Sequence, residues 1–466
     1  MFEKKFDVVI IGSGSGMNVG ARAISHGLKV AVVEHGLWGG LCLNRGCIPS
    51  KMLIFPADVV RMAQGGEKLG VTASIESVDF KSIMERTRRH VREEREPLER
   101  SAQNHPKLTW YKETGEFVGD HTLKVGDDKI KGKMIFIASG TRPLVPKIDG
   151  IEDVEYLTND TVFGLDEKPE RLLVIGGGYV GCEFAHFFSS VGCEVSVLEQ
   201  AERLMMAEEP EISRLLFEEM INQMQVLTRH RVERVEQDGD KKRVIAKNLE
   251  SDEQIEIEGD QILVAAGRIS NADLLHPEET NVETDDRGYI KVNEYLETTK
   301  DNIWAFGDAI GKHMYRHAAN YEAEIAWNNA HTTLHDDGGH GGGKVKVDWS
   351  AVPHAVYSHP QIGSVGMTEK QARENGYDIM VGTWDYSDTA KGSAMGEPPG
   401  FVKAIVERDS MKILGCHIIG YCAPVMVQEV VNVMNCEGGT AMTLLNSMHI
   451  HPALTEIVQN AFGSIE

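Results

Sequence analysis

The chain has 466 residues, 41% hydrophobic and 26% charged, and its 71 acidic and 48 basic residues give a formal net charge of −23. That length predicts about three domains, and the composition is that of a soluble globular protein. The acidic balance argues against nonspecific binding to nucleic acid or an anionic membrane, and no apolar run approaches the ~18 residues that span a bilayer.

Residues 1–6 are charged and run straight into a strand-like stretch, unlike a signal peptide, so a cytoplasmic location is expected. Residues 6–16 (FDVVIIGSGSG) predict a buried strand entering a glycine turn, followed by a helix. Gly12 permits the tight turn and Gly14 lets the backbone approach a pyrophosphate. The helix N-terminus adds N–H donors and a positive dipole end. A second apolar strand at 29–34 ends in Glu34, 22 residues after Gly12, where a carboxylate can accept hydrogen bonds from a ribose. Met17 stands where a G-x-G-x-x-G pattern has its third glycine, and the plain alternative is a strand–turn–helix with no ligand.

Residues 39–51 (GGLCLNRGCIPSK) hold the one close pair among seven cysteines, Cys42 and Cys47. An odd, scattered set in a cytoplasmic chain is not a structural disulfide framework. Five residues of regular helix rise about 7.5 Å, too far for a relaxed disulfide. Gly46 and Pro49 suggest a distorted first turn that could bring the sulfurs together, and a nearby helix N-terminus would favour thiolate. Spacing alone leaves three readings open: a redox pair, two buried free cysteines, or half of a zinc site without further ligands close by.

Arg86, Arg88, Arg89, Arg92, Arg95 and Arg100 alternate with Glu93, Glu94, Glu96 and Glu99, which reads as a solvated helix face. Residues 134–140 (MIFIASG) and 262–267 (ILVAAG) predict apolar strands ending in small residues, and 303–308 (IWAFGD) predicts one ending in Asp308. Between them, residues 171–181 repeat the strand and glycine turn, here complete with Gly176, Gly178 and Gly181. A strand at 194–199 ends in Glu199, 23 residues after Gly176. Its carboxylate can bond both ribose hydroxyls and would repel a 2′-phosphate, favouring NAD(H) over NADP(H). Arg203 close by weakens that preference, and Glu199 also reads as a surface residue ending a strand.

Residues 335–344 (HDDGGHGGGK) have the composition of a flexible loop, with His335, Asp336 and His340 as a weaker metal-binding alternative. From about residue 350 the pattern becomes mixed α+β, with alternating strands at 401–407 and 413–419 and a helical run at 423–435. Near the end, His451 and Glu456 have the types of an acid–base pair, whereas His449 reads as an ordinary surface or core residue.

Together these residues resemble the pyridine nucleotide–disulfide oxidoreductases, the family that includes dihydrolipoamide dehydrogenase, glutathione reductase, mercuric reductase and mycothione reductase. The likeness runs from residue 6 to about residue 462, and GGLCLNRGCIPSK at 39–51 and HPALTE at 451–456 are its most specific motifs. The resemblance implies an α/β chain with two Rossmann-like nucleotide-binding domains, one for FAD and one for NAD, and a C-terminal α+β dimerisation domain. The FAD domain would take 1–150 and 273–349, the NAD(P) domain 151–272, and the dimerisation domain 350–466.

The same resemblance implies a redox-active Cys42–Cys47 disulfide, with Cys47 facing the flavin and Cys42 exchanging with substrate. Lys51, paired with Glu183, would lie near flavin N5. Glu34 would hold the adenosine ribose, Asp308 the ribityl chain, and Tyr179 would cover the nicotinamide site. His451 and Glu456 would come from the second subunit of a homodimer. The implied cofactor-binding set is Gly12, Gly14, Gly16, Glu34, Gly40, Lys51, Gly140, Asp308, Met314, Gly176, Gly178, Tyr179, Gly181, Glu199 and Gly267, with no metal.

Among family members, mercuric reductase usually carries a C-terminal cysteine pair, which 462–466 (FGSIE) lacks, and glutathione reductase usually has arginine at the place of Glu199. Stretches 14–18, 267–273 and 450–454 are similar to mycothione reductase, which resembles the NADPH-using branch, whereas Glu199 points to NAD. Leu41 before Cys42, and Ala266, each stand where threonine is usual. The expected reaction is oxidation of dihydrolipoamide by NAD⁺, with a lipoyl domain or small dithiol as partner. The alternative is reduction of a low-molecular-weight disulfide of the mycothione or bis-γ-glutamylcystine type. A non-catalytic flavoprotein subunit is opposed by the intact Cys42, Cys47, Lys51, His451 and Glu456.

Overall fold

The computed structural model describes residues 3–334 and 343–466. His335, Asp336 and His340, the weaker metal-binding alternative, lie outside the described residues. The chain divides into two compact units. The first comprises Met1–Pro49, Glu85–Leu144 and Arg268–Asp348, and the second Ser50–Met84, Val145–Gly267 and Trp349–Glu466.

In the first unit the strand Glu3–Ile11 is exposed at its start and wholly buried over its last four residues, as its apolar run demands. It pairs in parallel with Val30–Val33 on one side and Asp128–Ile137 on the other, and Leu108–Tyr111 extends the sheet beyond Val30–Val33. Asp128–Ile137 also takes Ile303–Ala305 in parallel and Thr122–Val125 in antiparallel, and Gly115–Gly119 pairs antiparallel with Thr122–Val125, giving seven strands among the described residues. Helix Gly16–Ser25 packs on this sheet so closely that a Cβ on Gly16 would stand 2.7 Å from Ile10 Cγ2. The nucleotide turn therefore lies outside the carboxyl ends of parallel strands, where such folds bind ligands.

The second unit repeats the device. Gln225–Leu227, Glu194–Leu198, Arg171–Ile175 and Gln261–Val264 form a parallel sheet in that order, and Arg171–Ile175 is followed in sequence by the second glycine turn and helix Tyr179–Ser190. Phe184, Phe187, Phe188 and Leu204 fill its core together with Phe80 and Met84. A three-stranded antiparallel sheet runs His230–Asp238, Lys241–Asn248, Gln254–Gly259. The C-terminal part is an antiparallel five-stranded sheet ordered Pro353–Val356, Ile362–Gly366, Ile413–Ile419, Phe401–Glu407, Ile379–Asp385. Helices Ala423–Met434 and Glu456–Gly463 cover it with Val427, Val430, Ile457 and Phe462. The α/β class, the two nucleotide turns and the C-terminal α+β layer all appear. Among the described residues no helix is long and apolar enough to cross a membrane.

Candidate active site

The first glycine turn is held by the residue between its first two glycines. Gly12 has φ +102°, and a Cβ there would stand 2.2 Å from the carbonyl oxygen of Ala138. Glu34 Oε2 accepts the Ser13 N–H at 3.0 Å and the Ser13 hydroxyl at 2.9 Å, while Oε1 accepts the Gly36 N–H at 2.8 Å. The Ser13 hydroxyl in turn accepts the N–H of Gly39 at 2.9 Å. A cleft beside Glu34 is lined by Gly12, Val33, His35, Gly115, Ser139 and Leu274. Among the described residues, the buried hydroxyl of Ser139 has no partner. A carboxylate, an open glycine turn and an unpaired hydroxyl around one cleft fit an adenosine with its ribose. A Cβ on Gly14 would meet Arg316 Nη1 at 3.5 Å and Gly40 Cα at 3.8 Å, whereas Gly16 packs against the sheet.

The segment with the close cysteine pair is two helices rather than one distorted turn. Gly40–Arg45 ends at Gly46, whose φ −134°, ψ −118° breaks the ladder, and Cys47–Gln64 starts afresh with Cys47 as its first residue. Gly46 is crowded by backbone: a Cβ would stand 3.1 Å from Leu41 O and 3.2 Å from Cys42 Cα. Cys42 and Cys47 are present as free thiols hydrogen-bonded to one another, Cys42 half-buried and Cys47 exposed. The hydrogen bond to Cys47 and burial push the Cys42 thiol up, and the charge of Arg316 opposes them. Gly40, at φ +69°, comes so near the phosphate turn that a Cβ would stand 2.8 Å from Gly14 Cα.

Asn44 fixes this segment. Its amide nitrogen donates to the carbonyls of Leu37, Trp38 and Gly40, at 3.4, 2.9 and 2.9 Å, and its oxygen accepts from Arg95 Nη1 at 3.3 Å. The long helix Phe80–Asn104 carries the basic run, as expected. Arg95 is the correction to its solvated reading: the side chain is only 18% exposed and also pairs with Glu99 at 3.3 Å.

In the second unit Lys51 Nζ stands 2.8 Å from each carboxylate oxygen of Glu183, and 4.5 Å from the ring centroid of Tyr357. The Tyr357 N–H donates to Glu183 Oε1 at 3.0 Å, so the nearly buried carboxylate carries three bonds. Glu183 sits one turn into Tyr179–Ser190, the helix that Gly178 and Tyr179 open. Gly176, at φ +115°, and Gly181, whose Cβ would stand 2.0 Å from Gly176 O, lock turn to helix, while nothing crowds Gly178. Glu199 accepts the N–H groups of Gly177 at 2.6 Å and Ala201 at 2.7 Å. The Arg203 guanidinium donates to the carbonyls of Glu208 and Met206 at 3.0 and 3.1 Å and to the Ser213 hydroxyl at 3.3 Å. Open Gly178 and an anchored Glu199 fit a second dinucleotide with a free 2′-hydroxyl.

The remaining site residues scatter around these turns. Gly140 and Gly267 both hold positive φ at strand ends. Asp308 accepts the Thr141 hydroxyl at 2.8 Å. Burial pushes its carboxyl up against that bond and the charge of Arg268. The Tyr289 hydroxyl approaches Met314 Sδ at 3.9 Å.

At the C-terminal end, His451 Nδ1 lies 2.7 Å from Glu456 Oε1, and the Ala453 N–H donates to Glu456 Oε2 at 3.0 Å. The hydrogen bond from His451, then that from Ala453, holds the Glu456 carboxyl below its ordinary value. The His451 side chain is 71% exposed, with Met448 and Ile450 exposed beside it. His449 instead buries its ring, with Nε2 2.6 Å from Glu429 Oε1, in keeping with a structural role. Sequence reasoning passed over Ser13, Asn44, Thr141 and Tyr357. Each acts through a single hydrogen bond across the fold or a few local ones, which no spacing pattern announces.

A family model described as pyridine nucleotide-disulphide oxidoreductase matches residues 6–323, and the model of that family's dimerisation domain matches residues 352–462. Mycothione reductase of Mycobacterium tuberculosis is 33% identical over 98% of this chain and 98% of its own. Dihydrolipoyl dehydrogenase of Chlamydia trachomatis is 32% identical over 97% of this chain and 95% of its own. The solved structure of the HOCl-induced flavoprotein disulfide reductase RclA from Escherichia coli, as its Cu(II) complex, superposes with a TM-score of 0.85 at 29% identity, covering 99% of each chain.

Proposed function

We propose that this chain, which belongs to the pyridine nucleotide-disulphide oxidoreductase family, oxidises dihydrolipoamide with NAD⁺ through the Cys42–Cys47 pair. The family binds FAD and NAD(P)H, and both glycine turns here fit a dinucleotide. The observation that carries the choice of nicotinamide nucleotide is Glu199, anchored by two N–H groups beside an Arg203 that donates to two carbonyls and a hydroxyl. A 2′-phosphate would meet the Glu199 carboxylate.

The thiol chemistry follows from the pair. In the oxidised enzyme a substrate thiolate attacks Cys42 Sγ, the Cys42–Cys47 bond breaks, and Cys47 leaves as thiolate. The second substrate thiol attacks the mixed disulfide, forming lipoamide and releasing Cys42. His451 accepts the proton of the first attacking thiol, the proton of the second passes to the departing Cys42 sulfur, and Glu456 holds the ring and stabilises the imidazolium. Bound flavin supplies the two-electron link between the reduced cysteine pair and the nicotinamide. Lys51 and Glu183 hold a fixed positive charge at the start of the helix that Cys47 opens. The exposed His451–Glu456 pair serves the cysteine pair of a second copy, so the working unit is a homodimer.

A second reading, reduction of a low-molecular-weight disulfide of the mycothione or bis-γ-glutamylcystine type, is favoured by the full-length likeness to mycothione reductase. The deciding experiment measures NADH and NADPH oxidation with lipoamide, glutathione disulfide, bis-γ-glutamylcystine and mycothione disulfide side by side. Turnover with NADH and lipoamide is expected. Fast NADPH turnover with no lipoamide activity refutes the first reading.

A further inference from the structure

Helix Arg316–Leu334 presents one stripe to the first nucleotide turn and the helix behind it. Residues 316, 320 and 324 are each one turn apart and share a face. Glu324 pairs with Arg22 at 2.9 Å, and Asn320 Oδ1 accepts the Ser15 hydroxyl at 3.0 Å. Arg316, one turn nearer the turn's mouth, has Nη1 3.5 Å from the place where a Cβ on Gly14 would stand. Two of the three residues thus have protein partners. Among the described residues no carboxylate is paired with Arg316, in a chain with 71 acidic and 48 basic residues.

The turn itself is short of cation. Residues 12–17 (GSGSGM) contain no basic side chain, and both serine hydroxyls are engaged, Ser13 with Glu34 and Ser15 with Asn320. A dinucleotide pyrophosphate brings two negative charges to Gly14, where the turn itself offers backbone N–H groups and the positive end of a helix dipole. We propose that Arg316 is the cationic ligand of the FAD pyrophosphate at the first glycine turn. This rests on the reading that the turn takes FAD. A guanidinium is suited to the role because its fork can bond two phosphate oxygens at once. The rival anion is the Cys42 thiolate, which also feels the Arg316 charge.

The two are separated with ADP, which carries the pyrophosphate but no isoalloxazine. Flavin-depleted full-length protein is titrated with FAD, by quenching of flavin fluorescence, and with ADP, by competition. Arg316→Gln should weaken both ligands about tenfold or more, Arg316→Lys should recover part of the loss, and the salt dependence of ADP binding should become shallower. Unchanged FAD and ADP affinity in Arg316→Gln, with unchanged thermal unfolding, would overturn the inference. So would an effect confined to Cys42 thiol reactivity. If Arg316→Gln fails to fold, Arg316→Lys decides: ADP affinity that is unaltered in both strength and salt dependence overturns the inference, and a loss supports it. Wild-type protein that takes up no FAD would instead overturn the reading beneath it.

Discussion

Arg95 Nη1 donates to the side-chain oxygen of Asn44 at 3.3 Å, while the nitrogen of the same amide holds three backbone carbonyls between residues 37 and 40. Helix Phe80–Asn104 is thereby tied to the segment that carries Cys42. Asn44→Ala leaves three carbonyls and a partly buried guanidinium short of partners. It should cost about 1–3 kcal/mol in urea unfolding. Arg95→Met should cost less, and both should speed alkylation of Cys42 and Cys47 in the reduced protein. Alkylation rates equal to wild type would show that the amide does not set the cysteine geometry.

Lys51→Met leaves the carboxylate of Glu183 nearly buried, with only the Tyr357 N–H for compensation. Loss of about 2 kcal/mol is expected, and the double variant Lys51→Met/Glu183→Gln should regain part of it. The double-mutant cycle is read by chemical denaturation. Strict additivity of the two single changes would mean the pair is not coupled.

The two cysteines should differ. Either serine substitution should lower turnover roughly a thousandfold or more. Reductive titration should give a long-wavelength band from thiolate beside bound flavin, kept in Cys42→Ser and absent in Cys47→Ser. His451→Gln should lower kcat by roughly 10²- to 10⁴-fold with the flavin still bound. Glu456→Gln should do so less, since it removes an orienting partner. A band that survives in Cys47→Ser contradicts the assignment of the two sulfurs.

A buried polar cluster sets the response to acid. His417 Nε2 is 3.0 Å from the carbonyl of Met367, which can only accept, so that nitrogen carries the proton; Nδ1 is buried without a partner among the described residues. Burial holds the His417 pKa below its ordinary 6.5. Burial would raise Glu208, but the hydrogen bond and charge of His354, with help from His417 and Ser364, hold it below 4.5. Both shifts are depressions, so their stability is present above the ordinary values and is lost as pH falls toward the folded ones. Thermal stability should therefore decline first below pH 6.5 and again below pH 4.5, and His417→Gln should flatten the first decline. Buried Lys403 pairs with Glu209 at 3.0 Å, Glu211 at 3.3 Å and Glu369 at 2.9 Å beside this cluster. A stability curve flat from pH 7 to 5 in wild type would contradict this account.

The parts of the site with a repeating physical logic were legible in the sequence. Gly12 and Gly176 were readable because backbone at positive φ against a neighbouring carbonyl tolerates only glycine. Glu34 and Glu199 were readable from their distance to those turns. His451 and Glu456 were readable as an acid–base pair from their types, whereas Lys51 with Glu183 was reached only through resemblance: 132 residues separate that pair, and local periodicity carries no signal across the gap. The break at Gly46 was half visible, since glycine and proline announced a distortion but not two separate helices. Arg95 was hidden by its company, because a charged run on a long helix looks alike whether one member turns inward or none does. Arg316 could not be seen at all, since its place beside Gly14 is a contact across the fold that no spacing pattern announces.

Glu34 already accepts three hydrogen bonds from Ser13 and Gly36, and Ser13 already holds Gly39. The carboxylate is thus held by its own turn, and little ordering entropy is lost there when a nucleotide binds. Such a preformed socket makes cofactor capture a matter of diffusion and makes residence time the quantity that mutations alter. The binding of free FAD should accordingly show a nearly constant association rate across variants of this turn, with their differences appearing in how fast the flavin escapes.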